Sequence, residues 1–384
     1  MRVAITGTGA ASPFGLTADA LWEGLVAGRP AVRTIERFVQ SGIRVTTGGE
    51  VPLPPEFRGE ARDREMSGRP IAGALAQAGL AAGDAALVWA TGLDTFDQEG
   101  GVLIVRSAGA CFEDIARAHA RPRRMVATAC ASATQAIGEA FRLIRAGRVR
   151  AAVAGGATVM LSPHYALSFT WLQAMAVDVE GDAPEAACKP FDRLRRGLAL
   201  SEGGGALVLE ALDVARARGA AILGEVVGYG SSQDAFDLNR PPPDGLGAEL
   251  CMRRALDDAG LGVERIGAVN AHGTGTRAGD PAEAVALRRV LGERWRTTPV
   301  SSIKGAIGHP MAAAGALQGV AAVRSCATGV VPPTCNLVDP DDDCELDHVI
   351  GRARPADVPA ILSCSYGMGG QNACVIFARP EELG

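Results

Sequence analysis

The sequence predicts an α/β protein with largely parallel strands and two similar halves. Segments that read as strands alternate with segments of helical period along most of the 384 residues. The second half echoes the first, as in RMVATACASAT at 124–134 and TPVSSIKGAIGH at 298–309. Polar and reactive side chains follow several predicted strands, and parallel sheets gather ligands at the carboxyl ends of their strands.

The first residues of the chain predict a strand joined to a helix by a turn that does not bind a nucleotide. Residues 2–6 predict a strand, GTGAASPFG a turn, and residues 18–26 a helix. GTGAAS lacks the third glycine of GxGxxG, so a dinucleotide cofactor is not expected there. Residues 50–70 are rich in Pro, Arg and Glu and predict an exposed excursion, after which residues 71–92 form a helix and then a strand.

Cys130 stands where a strand gives way to a helix. The apolar RMVA precedes it, and Ile137, Ala140, Phe141 and Ile144 follow at helical spacing. A thiol at a helix N-terminus feels a positive field that lowers its pKa and favours the thiolate. A lone cysteine is more often a small packed residue, so the rest of the chain must decide whether Cys130 is a nucleophile.

The other elements continue the alternation, with a long loop expected at 160–197. The remaining strands are expected at 151–157, 204–212, 222–229, 266–271, 300–303, 360–367 and 372–378, and the helices at 213–220, 248–259, 281–291 and 312–327. The two halves join near residues 210–222, which predicts units at 1–215 and 216–384.

Composition excludes several classes of protein. A length of 384 residues favours two domains or two packed halves, and 47% hydrophobic with 21% charged residues is typical of a large apolar interior. The net charge of −5 argues against general nucleic-acid binding. Nine cysteines without CxxC pairs argue against a disulfide framework or a zinc site and favour a reduced, cytoplasmic protein. Neither a signal peptide nor a transmembrane helix is expected.

Three further stretches carry chemical groups at predicted strand ends. They are NAHGTGTRAGDPAEA at 270–284, SSIKGAIGHPMAAAG at 301–315 and SYGMGGQNA at 365–373. We expect Cys130 to converge with three of their side chains, namely His272, Lys304 and His309. The other histidines read as surface residues: His119, His164 and His348. Each group alone has a structural explanation, but four of them at four strand ends favour a site.

These motifs, in this order, resemble the elongating β-ketoacyl-acyl-carrier-protein synthase family, which has one cysteine and two histidines. TACASAT resembles its nucleophile motif, and the three later stretches resemble its first histidine motif, its lysine and second histidine motif, and its C-terminal glycine loop. The resemblance runs from residue 2 to about 378. It implies the thiolase fold, a duplicated βαβαβαββ unit in five αβαβα layers, with the nucleophile in the half at 1–215.

The resemblance also implies a reaction and a role for each residue. Cys130 would hold an acyl chain, its own N–H and that of Met368 would bind the oxyanion, and malonyl-acyl-carrier protein would then condense with loss of CO₂. The resemblance assigns further residues as follows: His272 and His309 to the enolate, Lys304 paired with Glu283, Thr274 and Thr276 to the pantetheine arm, and Met368, Gly369 and Leu198 to the acyl pocket. No metal or redox cofactor is needed, because phosphopantetheine on the carrier protein holds the substrates.

Four departures from the family pattern favour a specialised ketosynthase of polyketide or modified fatty-acid biosynthesis. The usual GFGG reads GMGG at Met368, the usual DGF reads RGL at Leu198, Gln173 replaces a basic residue, and the segment 92–125 is short. The expected partners are an acyl carrier protein and either a second copy or a chain-length-factor-like sister subunit. Basic candidates for the carrier-protein contact are RPRR at 121–124 and the cluster of Arg62, Arg64 and Arg69.

Two other functions remain open at this point. A thiolase-type acyltransferase would use a second cysteine as base, and Cys364 and Cys374 flank the glycine loop. A non-catalytic subunit would shape the pocket of a partner, although such subunits usually lack the nucleophile. The paired histidines and Lys304 favour decarboxylative condensation over both.

Overall fold

The computed structural model describes residues 1–35, 45–99, 102–177 and 183–380. The strands are β1 (Val3–Ala11), β2 (Arg33–Thr34), β3 (Thr47–Gly48), β4 (Ala86–Thr91), β5 (Thr95–Glu99), β6 (Val102–Arg106), β7 (Ala120–Val126), β8 (Ala151–Thr158), β9 (Gly203–Ala211), β10 (Gly224–Gln233), β11 (Ile266–Asn270), β12 (Val300–Ser301), β13 (Val330–Val331), β14 (Arg354–Pro355), β15 (Ala360–Gly367) and β16 (Gln371–Ala378). The α-helices are α1 (Ala18–Val26), α2 (Gly59–Ala78), α3 (Ala108–Ala116), α4 (Ser132–Arg145), α5 (Pro163–Trp171), α6 (Leu212–Ala217), α7 (Leu246–Ala259), α8 (Gly279–Leu291), α9 (Lys304–Ile307) and α10 (Ala314–Thr328).

The main sheet shows the internal repeat directly. Its order is β12-β11-β15-β16-β10-β1-β9-β8-β4-β7, with β1 and β10 paired antiparallel at the centre. Outward from β1 run β9, β8, β4 and β7, and outward from β10 run β16, β15, β11 and β12, with the same strand directions on both sides. The outer pairs are parallel and the central pairs antiparallel, so the expectation of largely parallel strands is only half right. The repeat supports our proposal of units at 1–215 and 216–384.

Helices cover both faces of each half of the sheet and give five layers. The helices α2 and α3 pack on the outer face of the first half, and α7 packs with α8 on the outer face of the second. Between the two halves lie α4 and α10, which touch each other and strands of both. Nearly all of α10 is buried, and its small residues allow this close approach on every side.

The glycines of GTGAA serve helix packing. β1 continues through them to Ala11, so the predicted turn is wrong over its first part and is confined to Ser12–Gly15, where the Gly15 N–H donates to the Ser12 carbonyl at 2.9 Å. A Cβ on Gly7 would lie 2.0 Å from the Ala74 carbonyl oxygen, and one on Gly9 would lie 2.0 Å from that of Pro70. Only glycine lets α2 lie this close to the strand. The prediction of an exposed excursion at 50–70 is also wrong over its second part, because α2 begins at Gly59 and continues as one helix beyond residue 70.

Several predicted surface residues are buried. Arg62 is fully buried, and its Nε donates to Glu202 at 3.0 Å, so it does not belong to a carrier-protein patch. Arg64 and Arg69 are exposed as expected. His119 and His348 are buried, so reading them as surface residues is also wrong.

The loop predicted at 160–197 contains a helix, α5, which packs beside the site described below. Part of that loop, 178–182, lies outside the described residues. Within the ranges that are described, none of the helices combines the length and the apolar character that crossing a membrane requires.

Candidate active site

Most of the predicted site residues line one cleft of about 950 Å³. The carboxyl ends of β7, β11 and β15 lead into it, as the repeat of the sheet requires. The predicted residues that line it are Cys130, Leu198, His272, Thr274, Thr276, Glu283, His309, Met368 and Gly369. Lys304 is fully buried and lies behind the cleft wall, where it bonds to the backbone of His272.

A tight turn presents Cys130 to the cleft. The chain leaves β7 at Val126, passes through the short 3₁₀ helix Ala129–Ala131, and enters α4 at Ser132. Ala129 has φ 50, a left-handed conformation that is costly for a residue with a side chain and is held by the surrounding structure. A Cβ on Gly367 would lie 2.9 Å from the Thr128 carbonyl oxygen, so any larger residue at the end of β15 would displace this turn.

The Cys130 thiol sits among apolar side chains. Its Sγ lies 3.7 Å from Met311 Sδ, and burial raises its pKa to about 11. Lys304 and the backbone N–H groups of Met368 and Cys130 act in the opposite direction. The prediction of a lowered pKa is therefore wrong, because loss of water outweighs the field of the short helical turn. The two N–H groups lie near the sulfur, on which an acyl carbonyl would be bound, and this is the neighbourhood in which an oxyanion hole must lie.

The two cleft histidines face each other almost at right angles. The ring centroids of His272 and His309 are 5.3 Å apart, with planes at 85°. In the part of the chain that the structure describes, His272 Nδ1 and both ring nitrogens of His309 are buried without a hydrogen-bond partner. Burial and then Lys304 lower the pKa of both imidazoles well below 6.5, so both are neutral at pH 7. Each neutral ring carries one N–H donor for a substrate oxygen.

Glu283 and Lys304 hold the backbone at His272 from two sides. Glu283 accepts the N–H groups of His272 and Gly273, each at 2.7 Å. Lys304 Nζ donates to the His272 carbonyl at 2.6 Å and to Gln318 Oε1 at 3.2 Å. Lys304 and Glu283 are therefore linked, as expected, but through hydrogen bonds that each side chain makes to the backbone at His272. Burial raises the pKa of Glu283 and lowers that of Lys304.

Sequence reasoning missed two buried polar residues that support the site. Asp280 accepts the N–H of Phe191 at 2.7 Å and those of Thr274 and Gly275 at 3.1 Å. Gln318 Nε2 donates to the carbonyls of Ala271 and Cys364 at 3.1 and 3.0 Å. Gln318 is the lone polar residue in the apolar run at 312–323, and this position in the sequence could have indicated a buried side chain with polar partners.

Thr274 and Thr276 lie on the way from His272 to the cleft mouth. Their Oγ1 atoms are 3.1 Å apart, and Thr276 Oγ1 accepts the N–H of Gly279 at 3.2 Å. Both hydroxyls line the cleft, where they can bond to the amides of an extended arm.

An apolar cluster next to Cys130 can hold an acyl chain. Its members include Met160, Tyr165, Phe169, Met175, Leu198 and Met311, with Met368 packed against them. The shortened segment 92–125 begins with the paired strands β5 and β6, and Phe96 of β5 packs edge-on against Tyr165 with ring centroids 5.1 Å apart. Methionines make this wall adaptable, because the thioether chain is flexible and polarisable. Gln173 lies at the cleft as well.

Comparison with known proteins agrees with this geometry. The chain matches the beta-ketoacyl synthase N-terminal domain over residues 1–65 and 120–215 and the C-terminal domain over residues 223–338. It is 35% identical to 3-oxoacyl-[acyl-carrier-protein] synthase 2 of Synechocystis sp., with 98% of each chain covered. It is also 35% identical to the tetracenomycin polyketide synthase ketoacyl synthase alpha subunit of Streptomyces glaucescens, covering 99% of this chain and 98% of that one.

Solved structures show the same fold. The ishigamide ketosynthase/chain length factor superposes with a TM-score of 0.87 at 32% identity, covering 98% of this chain and 99% of that one. A type II polyketide acyl-carrier protein in complex with its ketosynthase, bound to the hexaketide, gives a TM-score of 0.91 at 26% identity, with 99% of each chain covered.

The chain therefore belongs to the beta-ketoacyl synthase family, a class of acyl-transferring condensing enzymes. This membership confirms the thiolase fold, the acyltransferase class and the elongating condensation of fatty-acid or polyketide biosynthesis that the motifs predict. The structure also disfavours a thiolase-type second cysteine. Cys364 and Cys374 are fully buried, and their sulfurs face each other at 3.7 Å across β15 and β16, away from the cleft lining.

Proposed function

We propose that Cys130, His272 and His309 carry out a decarboxylative condensation between an acyl chain on Cys130 and malonyl-acyl-carrier protein. The observation that carries the proposal is their meeting in one cleft, with two backbone N–H groups near the thiol. Among the described residues, His272 Nδ1 and both ring nitrogens of His309 have no hydrogen-bond partner. Unpaired buried polar atoms are costly, and a substrate oxygen would satisfy them. Lys304 and Glu283 position His272 through hydrogen bonds to its backbone.

In the first half-reaction, the Cys130 sulfur attacks the thioester carbonyl of the acyl-carrier protein. The N–H groups of Cys130 and Met368 stabilise the resulting oxyanion. The carrier thiolate leaves and takes up the proton that the Cys130 thiol gives up. Burial raises the pKa of the thiol to about 11, so the thiol is mostly protonated at pH 7, and we propose that a neutral imidazole of the cleft relays its proton during the attack.

In the second half-reaction, the malonyl thioester loses CO₂ and its electron pair becomes an enolate. The N–H groups of the neutral His272 and His309 rings donate to the enolate oxygen. The enolate carbon attacks the acyl carbonyl on Cys130, and the Cys130 thiolate leaves and takes up one proton from solvent, which the decarboxylative condensation consumes. The product is a 3-ketoacyl-carrier protein that is two carbons longer. Every step uses side chains and backbone of this chain, so we propose that no cofactor takes part.

We place the enzyme in specialised, polyketide-type biosynthesis. Met368 replaces the aromatic gate, Leu198 replaces a second aromatic residue, and the hairpin at β5 and β6 replaces a longer segment. These three changes bear on the acyl pocket and leave the reacting groups in place. The similarity to the tetracenomycin ketoacyl synthase alpha subunit and to the ishigamide ketosynthase/chain length factor supports the same assignment.

We propose that the partners are an acyl carrier protein and a second thiolase-fold chain, either another copy or a chain-length-factor-like subunit. The strand β7 is the outermost strand of the main sheet and exposes Met125 to 47%, whereas the opposite outermost strand, β12, is short and buried. An exposed strand edge of this length favours pairing with another chain. All nine cysteines are free thiols, which supports a reducing, cytoplasmic location.

Intact-mass measurement tests the nucleophile. Wild type incubated with acyl-carrier protein should gain the mass of the acyl group, and Cys130→Ala should not. Cys364→Ala serves as the matched control, since it removes another buried thiol outside the cleft and should leave the acylation intact. Added malonyl-carrier protein should then release 3-ketoacyl product. Failure of wild type to acylate, alone and with a co-expressed sister subunit, would contradict the proposal.

A further inference from the structure

The cleft reaches Cys130 but ends before most of the apolar cluster next to it. The buried members of that cluster that line the cleft are Cys130, Met175 and Leu198. Among the residues that the structure describes, further members do not line it, and each of these is at most 7% exposed: Met160, Tyr165, Phe169 and Met311. Side chains therefore fill the space beside the thiol, and an acyl chain can enter it only if one of them moves.

Met311 contacts the thiol directly. The Cys130 S–H donates to Met311 Sδ, and the two sulfurs are 3.7 Å apart. Atoms at that separation are in van der Waals contact, so no substrate atom fits between them. The two residues lie on short 3₁₀ turns, Ala129–Ala131 and Met311–Ala313, which pack against each other. An acyl chain that leaves the Cys130 sulfur toward this side must therefore displace the Met311 side chain.

The backbone on both sides of Met311 is fixed, so the residue cannot withdraw as a whole. Before it, the His309 N–H donates to the Ala199 carbonyl at 2.8 Å. After it, the Ala313 N–H donates to Thr158 Oγ1 at 3.2 Å. Met311 itself has φ 40, in the left-handed region, and such a conformation persists only where the surrounding structure holds it. The movement that makes room for a substrate is therefore a change of side-chain rotamer.

The Met311 side chain is suited to such a movement. Methionine is unbranched and has three rotatable bonds, so it can change shape within a packed interior. Its bond to the Cys130 thiol is weak, because sulfur is a poor donor and a poor acceptor. The interior is close-packed, however, and each added methylene of an acyl chain must displace protein atoms. An acetyl group asks for the smallest displacement, and the cost rises with the length of the chain.

We propose that Met311 closes the acyl side of Cys130 and thereby selects short aliphatic acyl donors, of acetyl size in preference to longer chains. The inference rests on the proposed function and adds to it the class of acyl group that Cys130 accepts. Met311 acts in the transfer to Cys130, when the chain of the donor takes the space that the Met311 side chain fills in the free enzyme. The bonds that form and break are those of the first half-reaction.

Acyl donors of different length test the inference. Acetyl-, butyryl- and octanoyl-acyl-carrier protein, all on the same carrier, are compared by the second-order rate constant for acylation of Cys130, followed by intact mass. Wild type should prefer acetyl to octanoyl. Met311→Ala should lower that preference by about tenfold, because loss of the thioether chain leaves room for carbons of the donor. Met311→Leu should keep it, since leucine has a similar volume and is less flexible.

Met311→Gly is a second truncation, because glycine adopts a φ of 40 without strain. It should shift the preference in the same direction as Met311→Ala, and melting temperatures show which variants are folded. Met252→Ala is the matched control, because Met252 is fully buried on α7 in another apolar cluster, outside the cleft lining. It should keep the wild-type preference.

Three results would count against these claims. Equal rates of wild type with acetyl and octanoyl donors would overturn the inference while the proposed function stands. So would truncations of Met311 that slow all three donors by the same factor, since a purely structural role has that effect. Acylation of wild type by none of the donors would instead remove the proposed function, and this inference with it.

Discussion

Lys304 shows how a buried charge can act on a site without touching substrate. It lies behind the cleft wall, bonded to the His272 carbonyl and to Gln318. Its positive charge nevertheless lowers the pKa of His272, of His309 and of the Cys130 thiol. In an interior of low dielectric, such a charge acts over several ångströms. One lysine thereby favours neutral imidazoles and a more acidic thiol.

Replacing Lys304 by Met should move the acid limb of the condensation to higher pH. A nearby positive charge disfavours the imidazolium, so its removal lets His272 and His309 take up protons at a higher pH. The rate of single-turnover condensation by pre-acylated enzyme is measured as a function of pH. The comparison is made below pH 8, because the pKa of Lys304 is about 8 and the lysine carries its charge there. Wild type should keep its rate below pH 6.5, where an ordinary histidine titrates.

Gln318→Leu is the control for this prediction, because it removes a hydrogen-bond partner of Lys304 and retains the charge. Its acid limb should stay near that of wild type. The melting temperature of Lys304→Met shows whether the variant is folded. If the folded variant loses activity at the same acidic pH as wild type, the lysine charge does not set the histidine pKa values.

Among the elements, α2 and β1 show how glycines set the distance between layers. The carbonyls of α2 lie where a Cβ on Gly7 or Gly9 would stand. The same helix carries Arg62 into a buried pair with Glu202, which also accepts the Val51 N–H at 3.0 Å. Close contact thus fixes α2 to β1. The ion pair between Arg62 and Glu202 fixes it to the segment that leads into β9.

Gly9→Ala should destabilise the fold by about 1–3 kcal/mol or more, because overpacking here meets backbone and not a flexible side chain. Urea unfolding measures the change. Gly68→Ala on α2 is the matched control: its Cβ would meet nothing within 4 Å, and alanine in a helix should stabilise by about 0.5–1 kcal/mol. Equal stabilities of the two variants would contradict the close packing of α2 on β1.

For the whole molecule, the repeat leaves one long strand edge open. The two halves join through β1 and β10, so the sheet ends at β7 on one side and at the two-residue β12 on the other. The nucleophile turn follows β7 directly. A partner chain paired with β7 would therefore lie within a few residues of Cys130, which links assembly to the site.

Met125→Lys should weaken self-association, because it places a charge on the exposed edge strand that we propose pairs with a partner. Sedimentation velocity over a concentration range measures the monomer fraction. Val338→Lys is the control, an equally drastic change at an exposed apolar residue outside β7, and it should leave the wild-type distribution. A wild-type chain that remains monomeric with and without a sister subunit would refute the proposed pairing.

The local sequence pattern was sufficient to predict many helices and strands and to select the candidate reacting groups. The helices at 18–26 and after Cys130 begin and end close to the predicted positions, since their apolar period is strong. The helix at α2 was missed in its first half because Arg62 reads as a surface residue until Glu202, 140 positions away, is seen beside it. Asp280 and Gln318 were missed for the same reason: their partners are backbone groups of distant segments.

The sequence by itself determined the family, the fold class, the four motifs and their order along the chain, because each is written in consecutive residues whose spacing is read locally. Only the tertiary structure decided how those motifs act on one another. It showed that the Cys130 pKa rises, that Lys304 reaches Glu283 through the His272 backbone, and that the Gly197 N–H bonds to the Gly275 carbonyl. The physical reason is that burial and charge–charge distance depend on contacts between remote segments, and no local pattern encodes them.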